Sequence, residues 1–243
     1  MSNKIRTIEY DRIDSTNAQA RRYAAENDSR APILFVSKEQ SAGRGRLGRS
    51  FYSSLKGGIY MSLLYFTDSA LSDAVSVTTA AAVFTAEAIE RATGKKMKIK
   101  WVNDIYNDYG KVAGILTETV SVGKGTAVIV GIGINTGKGD FPRELDGIAS
   151  STGELSDGDR ADMIDYIAES LLSHAADPTN REYMSGYRER FMLDGTRVEL
   201  TKAGEPVARG RVKGVTDDGG LIFLRDGETE SEVIHTGEVS VRK

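Results

Sequence analysis

Cysteine is absent from this chain of 243 residues, and histidine, tryptophan and proline are scarce. A chain without cysteine has no disulfide, no thiolate metal ligand and no cysteine nucleophile, and it suits a cytoplasmic protein. The two histidines, His174 and His235, are far apart in sequence, and neither has a partner at a metal-ligand spacing. Thiol chemistry is therefore excluded, and the sequence does not indicate a histidine-based metal centre.

The chain also lacks an excess of basic charge and a long apolar run. Its 32 lysines and arginines face 35 aspartates and glutamates, which gives a net charge of −3. No overall positive field points to DNA or to a membrane surface, and neither a signal-peptide core nor a membrane span is evident. With 40% hydrophobic and 28% charged residues, the chain is long enough for one large domain and one small domain.

The most unusual segment is the arginine-glycine loop, Gly43 to Arg49, in which three glycines and three arginines share seven positions. It follows the apolar run Ile33 to Val36, which predicts a strand. Glycine lets the backbone approach a ligand closely, and arginine donates several hydrogen bonds to carboxylates and phosphates. The glycines also fit a dinucleotide-binding fingerprint, but no helix follows them, as that fold requires. We interpret the segment as an anion-binding loop, with a solvated turn as the alternative.

Further polar groups interrupt predicted elements. The run Asp14 to Asn17 precedes a predicted helix at 18–26, so it offers an N-cap and also hydrogen-bonding groups for a ligand. Gln40 precedes the arginine-glycine loop, close enough in sequence for its side chain to reach the pocket that the loop faces. The segment Lys100 to Tyr106 places Asn and Asp within an apolar stretch, which favours either a turn or a polar cluster between two strands.

Two strands after this cluster contain internal glycines. Residues 107–110 predict a hairpin turn, after which Lys111 begins a strand containing Gly114. The apolar segment Thr126 to Asn135 contains Gly131 and Gly133, whose positions face the same side of a strand. An internal strand glycine indicates close approach by a ligand or by another backbone. These glycines therefore predict either a groove for a flat molecule or tight packing against a helix.

The remaining pattern predicts α/β (α+β) architecture with two domains, at 1–192 and 193–243. Lysines 96, 98 and 100 alternate along a predicted strand at 95–101, which favours one solvated face. Residues 137–158 predict a loop, and after residue 195 short strands with Gly and Asp turns predict a small barrel. Strands are predicted at 4–10, 33–37 and 58–66, and helices at 18–26, 71–93, 160–175 and 180–191.

Taken together and in this order, these motifs resemble those of the biotin protein ligases. The matching segments are Ser15 to Asn17, Gly43 to Arg49, Lys100 to Asp104, Lys111 to Leu116, Gly131 to Asn135 and Gly237 to Arg242. Val102 stands where the family usually has proline, Phe51 where it usually has tryptophan, and Leu47 where some members have arginine. The resemblance implies a mixed-sheet catalytic domain of the class II synthetase type and an SH3-like β-barrel at the C-terminus. It also implies the ligase-only type, without an N-terminal DNA-binding domain.

The resemblance implies ATP-dependent conversion of biotin to biotinyl-5′-AMP, with Mg²⁺, and transfer of biotin to a lysine of a biotin carboxyl carrier protein. It is compatible with a homodimer. Lipoate or octanoate transfer is an alternative, although the Arg-Arg-x-x-Gly-Gly motif typical of those enzymes is missing. A non-catalytic biotin-binding or nucleic-acid-binding module also remains open.

The resemblance assigns roles to individual residues. Arg44, Arg46 and Lys111 are expected to neutralise the reacting carboxylate and phosphate, and Asp104 to orient or deprotonate the acceptor lysine. Residues expected to contact biotin are Ser15, Thr16, Asn17, Gln40, Arg44, Gly45, Arg46, Lys111, Gly114, Gly131 and Gly133. Residues expected to contact ATP are Arg46, Arg49, Phe51, Trp101, Asn103, Lys111 and Asn135.

Overall fold

The structure is a computed structural model that describes residues 5–53, 58–68, 74–123, 125–139, 141–202, 205–235 and 239–242. Three sequence-based expectations extend beyond these ranges. The start of the first predicted strand (Lys4), the start of the second predicted helix (71–73) and part of the last matching motif (237–238) lie outside the described residues.

A mixed sheet of seven strands forms the larger layer. Its spatial order is β1-β2-β3-β7-β6-β5-β4, with β1 and β2 parallel and each other neighbouring pair antiparallel. The strands are β1 Arg6–Tyr10, β2 Ile33–Ser37, β3 Ile59–Thr67, β4 Lys98–Lys100, β5 Asp104–Tyr106, β6 Lys111–Val122 and β7 Gly125–Ile134. The long antiparallel hairpin β6–β7 follows from its apolar, β-branched composition.

Four α-helices accompany this sheet: α1 Thr16–Glu26, α2 Ala74–Thr93, α3 Asp157–Ala176 and α4 Tyr183–Arg190. The Ser15 side chain caps α1 by accepting a hydrogen bond from the backbone N–H of Ala18. A reciprocal capping box between Ser156 and Asp159 begins α3. Short 3₁₀ turns occur at Arg46–Gly48 and Arg143–Leu145.

The C-terminal part forms a second, wholly antiparallel sheet of five strands in the order β11-β10-β9-β8-β12. Its strands are β8 Arg197–Lys202, β9 Glu205–Val215, β10 Leu221–Arg225, β11 Glu232–Ile234 and β12 Val239–Arg242. The predicted fold class, a mixed α/β sheet followed by a small all-β unit, is confirmed.

The two sheets share one buried apolar cluster. Ala81 and Ile89 of α2 belong to the same cluster as Val198, Leu200 and Phe223 of the C-terminal sheet. The buried interior is thus continuous between the two parts.

The predicted solvated lysine face is confirmed at Lys96 and Lys98, which are exposed while Met97, Ile99 and Trp101 are buried, but the strand predicted at 95–101 is too long. Only Lys98–Lys100 form a strand, because the chain is still leaving α2 through Gly94, whose φ is 68°. Lys96 precedes the strand, and its Nζ lies 3.7 Å from Glu189 Oε1. Lys100 is half-buried and lines the cavity described below. The last predicted helix is also shorter than expected, since α4 covers Tyr183–Arg190.

Candidate active site

A cavity of about 160 Å³ lies between the start of α1, the arginine-glycine loop and the strands β5, β6 and β7. The structure brings together all but one of the residues that the sequence indicated for the site. The predicted residues lining the cavity are Ser15, Thr16, Asn17, Gln40, Arg44, Gly45, Arg46, Arg49, Phe51, Trp101, Asn103, Asp104, Lys111, Gly114, Gly131 and Gly133. Asn135 lies outside this lining.

One end of the cavity is a buried network of uncharged polar groups. Gln40 Oε1 accepts a hydrogen bond of 2.8 Å from the backbone N–H of Thr16. Asn17 Nδ2 donates to Glu118 Oε2 at 2.8 Å, and Glu118 also pairs with Arg21. Because Thr16 and Asn17 are held from behind by the protein, their orientation toward the cavity is fixed before any ligand binds.

The arginine-glycine loop is closed by its own backbone. Gly45 N donates to Arg49 O at 2.7 Å, and Phe51 N donates to Gly43 O at 3.0 Å. A side chain at Gly43 would place its Cβ 2.1 Å from Ser53 Oγ, so only glycine fits there. The predicted anion loop is therefore a compact turn that faces the cavity.

The three arginines of this loop differ in exposure. Arg44 and Arg49 are exposed, whereas Arg46 is half-buried and donates to Asn103 Oδ1 at 2.9 Å. Burial lowers the pKa of Arg46, and the negative charge of Asp104 opposes that shift. Asn103 is itself fixed, because its Nδ2 donates to Ile115 O at 2.8 Å. Arg46 is thus the best-positioned cation of the loop.

A second cation enters the cavity from the β5–β6 hairpin. Lys111 Nζ lies 2.6 Å from Asp104 Oδ1, with both side chains 26% exposed, and 5.6 Å from the centre of the Phe51 ring. Asp104 pairs with Gly114 and Lys111 with Tyr106, so the Lys111 side chain reaches along the hairpin, past Gly114, to the Asp104 carboxylate. This end of the cavity therefore combines two cations with one carboxylate.

Three glycines form one wall of the cavity. A Cβ at Gly131 would lie 1.9 Å from Asn17 Oδ1, and one at Gly133 would lie 2.6 Å from the Phe51 ring. A Cβ at Gly114 would lie 3.1 Å from both Lys111 Cε and Lys111 Nζ. The glycines thus admit Asn17 of α1, Phe51 after the arginine-glycine loop and Lys111 of β6. Both interpretations, a groove and tight packing against a helix, therefore describe part of this surface.

Trp101 connects the cavity to the C-terminal sheet. Its indole Nε1 donates to Gly219 O, in the turn between β9 and β10, at 2.9 Å. The peptide bond between Trp101 and Val102 is cis. Trp101, which was expected to contact ATP, does line the cavity, but its indole N–H is engaged with the C-terminal sheet.

Replacing Trp101 with phenylalanine is expected to lower the free energy of unfolding by about 1–3 kcal/mol, because a buried carbonyl loses its donor. Urea unfolding followed by circular dichroism measures this, since Trp101 is the chain's single tryptophan and fluorescence would be lost. Tyr109→Phe is the control, because that side chain is 82% exposed and its change should leave stability unaltered. Equal stability of the Trp101 variant and the control would contradict the assigned role of this hydrogen bond.

Asn135 instead lines an adjoining cavity of about 490 Å³, which also contacts Phe51 and Lys111. Its Nδ2 donates to Ser150 O at 3.1 Å and to Lys111 O at 3.3 Å. Asn135 therefore holds the segment after the 3₁₀ turn Arg143–Leu145 against the start of β6. Phe141 and Leu145 give this second cavity an apolar side.

Sequence reasoning missed Ser53, Ser62 and Glu118, which hold the lining residues from behind. The signal for Ser62 was a serine in the apolar run of β3, where it pairs with Gly131. Among the described residues, no group of three or more carboxylate and histidine side chains could hold a metal ion. No helix in the described ranges is long and apolar enough to cross a membrane.

Comparison with known proteins agrees with this geometry. Residues 9–135 match the model of the "Biotin/lipoate A/B protein ligase family", and residues 195–242 match that of the "Biotin protein ligase C terminal domain". A solved biotin protein ligase from Aquifex aeolicus, in complex with biotin and ATP, has a TM-score of 0.79 and 28% identity. The superposition covers 98% of this chain and 99% of that protein.

Two curated relatives extend the comparison. The "Biotin--[acetyl-CoA-carboxylase] ligase" of Paracoccus denitrificans is 31% identical over 240 residues, covering 94% of this chain and 97% of the relative. The "Bifunctional ligase/repressor BirA" of Bacillus spizizenii is 38% identical over 181 residues, which cover 73% of this chain. The match spans only 54% of that protein, about half its length. By its motifs, its cavity and these matches, the chain belongs to the biotin/lipoate A/B protein ligase family.

Proposed function

We propose that this protein activates biotin with ATP to biotinyl-5′-AMP and then transfers the biotinyl group to a lysine of a biotin carboxyl carrier protein. The observation that carries the proposal is a single cavity with an uncharged polar end, at Thr16 and Gln40, and a cationic end, at Arg46 and Lys111. Biotin has the same division, with a ureido ring at one end and a carboxylate at the other.

The polar end suits the ureido ring, which both donates and accepts hydrogen bonds. Ser15, Thr16 and Asn17 bring hydroxyl and amide groups of the α1 start into the cavity. The wall formed by Gly114, Gly131 and Gly133 suits a flat, fused ring, because it carries no side chains of its own. A fatty acyl chain would leave this polar end without partners, which is costly in a buried site.

The cationic end suits the first half-reaction. A carboxylate oxygen of biotin attacks the α-phosphorus of ATP, a new O–P bond forms, and the bond to pyrophosphate breaks. The protein needs no nucleophile for this step, only orientation and neutralisation of two anions. Arg46 and Lys111 can supply the charge, with Arg44 and Arg49 at the rim.

In the second half-reaction, the amine of the acceptor lysine attacks the acyl carbon and an amide C–N bond forms. The acyl C–O bond to AMP breaks, AMP leaves with the bonding electron pair, and the proton lost by the amine passes to the Asp104 carboxylate and on to solvent. Asp104 is the carboxylate among the residues lining the cavity. Its ion pair with Lys111 holds it beside the expected acyl group. We infer that Asp104 positions Lys111 for adenylation and accepts a hydrogen bond from the acceptor amine during transfer.

The adjoining cavity suits the adenine ring, because Phe51, Phe141 and Leu145 give it aromatic and apolar contacts. Asn135 then acts on the nucleotide indirectly, by holding the segment around Ser150. The described side chains do not build a metal site by themselves. Mg²⁺ in nucleotide sites is held largely by phosphate oxygens and by one or two carboxylates, so we expect it to arrive with ATP.

We further infer that the enzyme acts in the cytoplasm on a carrier protein, without DNA or membrane partners, and that a domain boundary lies near residue 193. The ligase from Paracoccus denitrificans supports the acceptor, because its name specifies acetyl-CoA carboxylase. Lipoate or octanoate transfer is the second candidate, since the matching family model includes lipoate ligases. A homodimer remains a prediction.

Mass spectrometry after mixing the protein with biotin, ATP and Mg²⁺ tests the proposal. We expect biotinyl-adenylate from biotin, and no acyl-adenylate in parallel reactions with lipoate or octanoate. A carrier domain added afterwards should gain the mass of one biotinyl group. An adenylate from lipoate alone would favour the second candidate, and no adenylate from any of the three acids would refute the proposed enzyme.

A further inference from the structure

Ser62 lies directly behind the ligand-facing wall. It is in the middle of β3, fully buried at 0% exposure, and it is not among the residues that line the cavity. Its Oγ lies 2.7 Å from Thr16 Oγ1 and 2.6 Å from Asn17 Oδ1. One hydroxyl therefore contacts two side chains that do face the cavity.

The amide of Asn17 can adopt only one orientation. One side of it faces Glu118 Oε2 at 2.8 Å and Leu116 O at 3.3 Å. A carboxylate and a carbonyl oxygen only accept hydrogen bonds, so the amide nitrogen must point toward them. The amide oxygen then necessarily points toward Ser62.

This orientation fixes the direction of the next two hydrogen bonds. The Ser62 hydroxyl has a single hydrogen, and Asn17 Oδ1 can only accept it. The 2.7 Å contact between Ser62 and Thr16 is then donated by the Thr16 hydroxyl, whose other acceptor, Gln40 Oε1, is farther away at 3.2 Å. Without that donation, two oxygens would be in contact with no hydrogen between them. The Thr16 hydrogen is therefore held on the side away from the cavity.

We propose that Ser62 is a positioning residue that makes Thr16 present an acceptor, and no donor, to the ligand. The ligand class selected in this way carries N–H groups at the buried end, as a cyclic urea does. A ring without N–H groups, such as a dithiolane, would gain nothing from this acceptor. This inference rests on the proposed function and specifies how the polar end of the cavity selects its substrate.

Ser62→Ala removes the nearer of the two acceptors of the Thr16 hydrogen and leaves the longer contact to Gln40 Oε1, at 3.2 Å. A hydroxyl held only by that longer contact can turn its hydrogen toward a ligand N–H, which weakens binding of that N–H. We expect the KM for biotin to rise about 5–10-fold, the range of one hydrogen bond, while the KM for ATP is unchanged. The preference for biotin over an analogue methylated on both ureido nitrogens should fall by a similar factor.

Ser76→Ala is the matched control, because Ser76 is also a buried serine, on α2, and its Oγ lies 3.0 Å from the Tyr183 hydroxyl of α4. It should leave both KM values and the preference unchanged. If Ser62→Ala weakens biotin and the methylated analogue equally, the effect is general packing and the inference is wrong. If Ser62→Ala changes neither the KM for biotin nor the preference for biotin over the methylated analogue, the inference is also wrong.

Variants of Thr16 test the same chain of contacts if Ser62→Ala does not fold. Thr16→Ser keeps the hydroxyl and should keep the preference for unmethylated biotin, whereas Thr16→Val should lose it. A Thr16→Val protein that retained the full preference would contradict the inference. Absence of adenylate with the unaltered protein would instead refute the proposed function, and calorimetric binding of biotin and its analogue would still test the role of Ser62.

Discussion

Replacing Lys111 with alanine is expected to slow formation of the adenylate about 10²–10³-fold, as loss of a donor to developing charge commonly does. Lys111 Nζ is the cation of the β5–β6 hairpin and lies 2.6 Å from Asp104 Oδ1. Its removal takes a positive charge from the reacting carboxylate and phosphate. It also leaves the Asp104 carboxylate facing two anionic substrates without its ion-pair partner, which adds repulsion.

That second effect can be separated by a double-mutant cycle. If uncompensated Asp104 contributes to the defect, Lys111→Ala with Asp104→Ala should be less impaired than the two single variants predict together. Single-turnover release of pyrophosphate measures the adenylation step alone. Strict additivity would show that the ion pair has no role in this step.

Lys98→Ala provides a matched control on the neighbouring strand β4, where the lysine pairs with Asp108 in the turn of the β5–β6 hairpin. Lys98 Nζ lies 2.7 Å from Asp108 Oδ1, but both side chains are largely exposed and the pair is outside the cavity. Exposed ion pairs contribute little to stability. We therefore expect pyrophosphate release to change by less than about twofold. A large defect in this variant would mean that hairpin stability, and not the charge of Lys111, limits the reaction.

Replacing Arg46 with alanine is expected to release biotinyl-adenylate about 10–100-fold faster, the range of one hydrogen bond to a charged group. Arg46 is the half-buried arginine of its loop, and Asn103 holds its guanidinium at 2.9 Å. Such a fixed planar donor suits a phosphate, and its loss leaves the phosphate with fewer partners. The adenylate would then escape before the acceptor lysine arrives.

Rapid dilution of the protein with preformed adenylate bound, followed by chromatography of the released adenylate over time, measures this rate. Arg46→Lys keeps the charge and loses the planar fork, so we expect it to restore only part of the retention. Arg91→Ala is the remote control. Arg91 is on α2, and its Cζ lies 3.9 Å from the centre of the Tyr166 ring of α3, away from the cavity. If Arg46→Ala retains the adenylate as long as the Arg91→Ala control does, Arg46 does not contact the phosphate of the adenylate.

Sequence patterns alone predicted the elements that follow strict periodicity. The apolar run at 33–37 and the alanine-rich helix ending at Thr93 are in place, because burial and propensity agree there. The lysine alternation at 95–101 matches the exposed and buried sides of this segment, but it overstates the strand, which covers only Lys98–Lys100. An alternating pattern can therefore extend past the end of a strand and does not fix its bounds.

Local patterns also found most of the cavity, because its residues are unusual for the elements that hold them. Arginines among glycines, and Asn103 with Asp104 beside an apolar strand, contradict simple propensity and so attract attention. Ser62 and Glu118 gave weaker signals, since a single serine or glutamate in a strand is common. Their role depends on partners about 45 and 100 residues away, which only the folded chain brings together.

The placement of Asn135 shows a related limit. Its position at the end of β7 was correct, yet it faces Ser150 and the adjoining cavity. Whether a residue after a strand points into one cavity or the next depends on how the following loop folds back. That loop, 137–158, contains little periodicity from which its path could be predicted.

The apolar cluster shared by the two sheets has a consequence for heating. Phe223 and Leu200 pack in the same interior as Ile89 of α2, so neither part can lose its structure without exposing apolar surface of the other. Calorimetry should therefore record a single endotherm, in which the calorimetric and van't Hoff enthalpies agree. A chain cut near residue 193 would expose that surface to water, and the two fragments would tend to aggregate instead of melting separately.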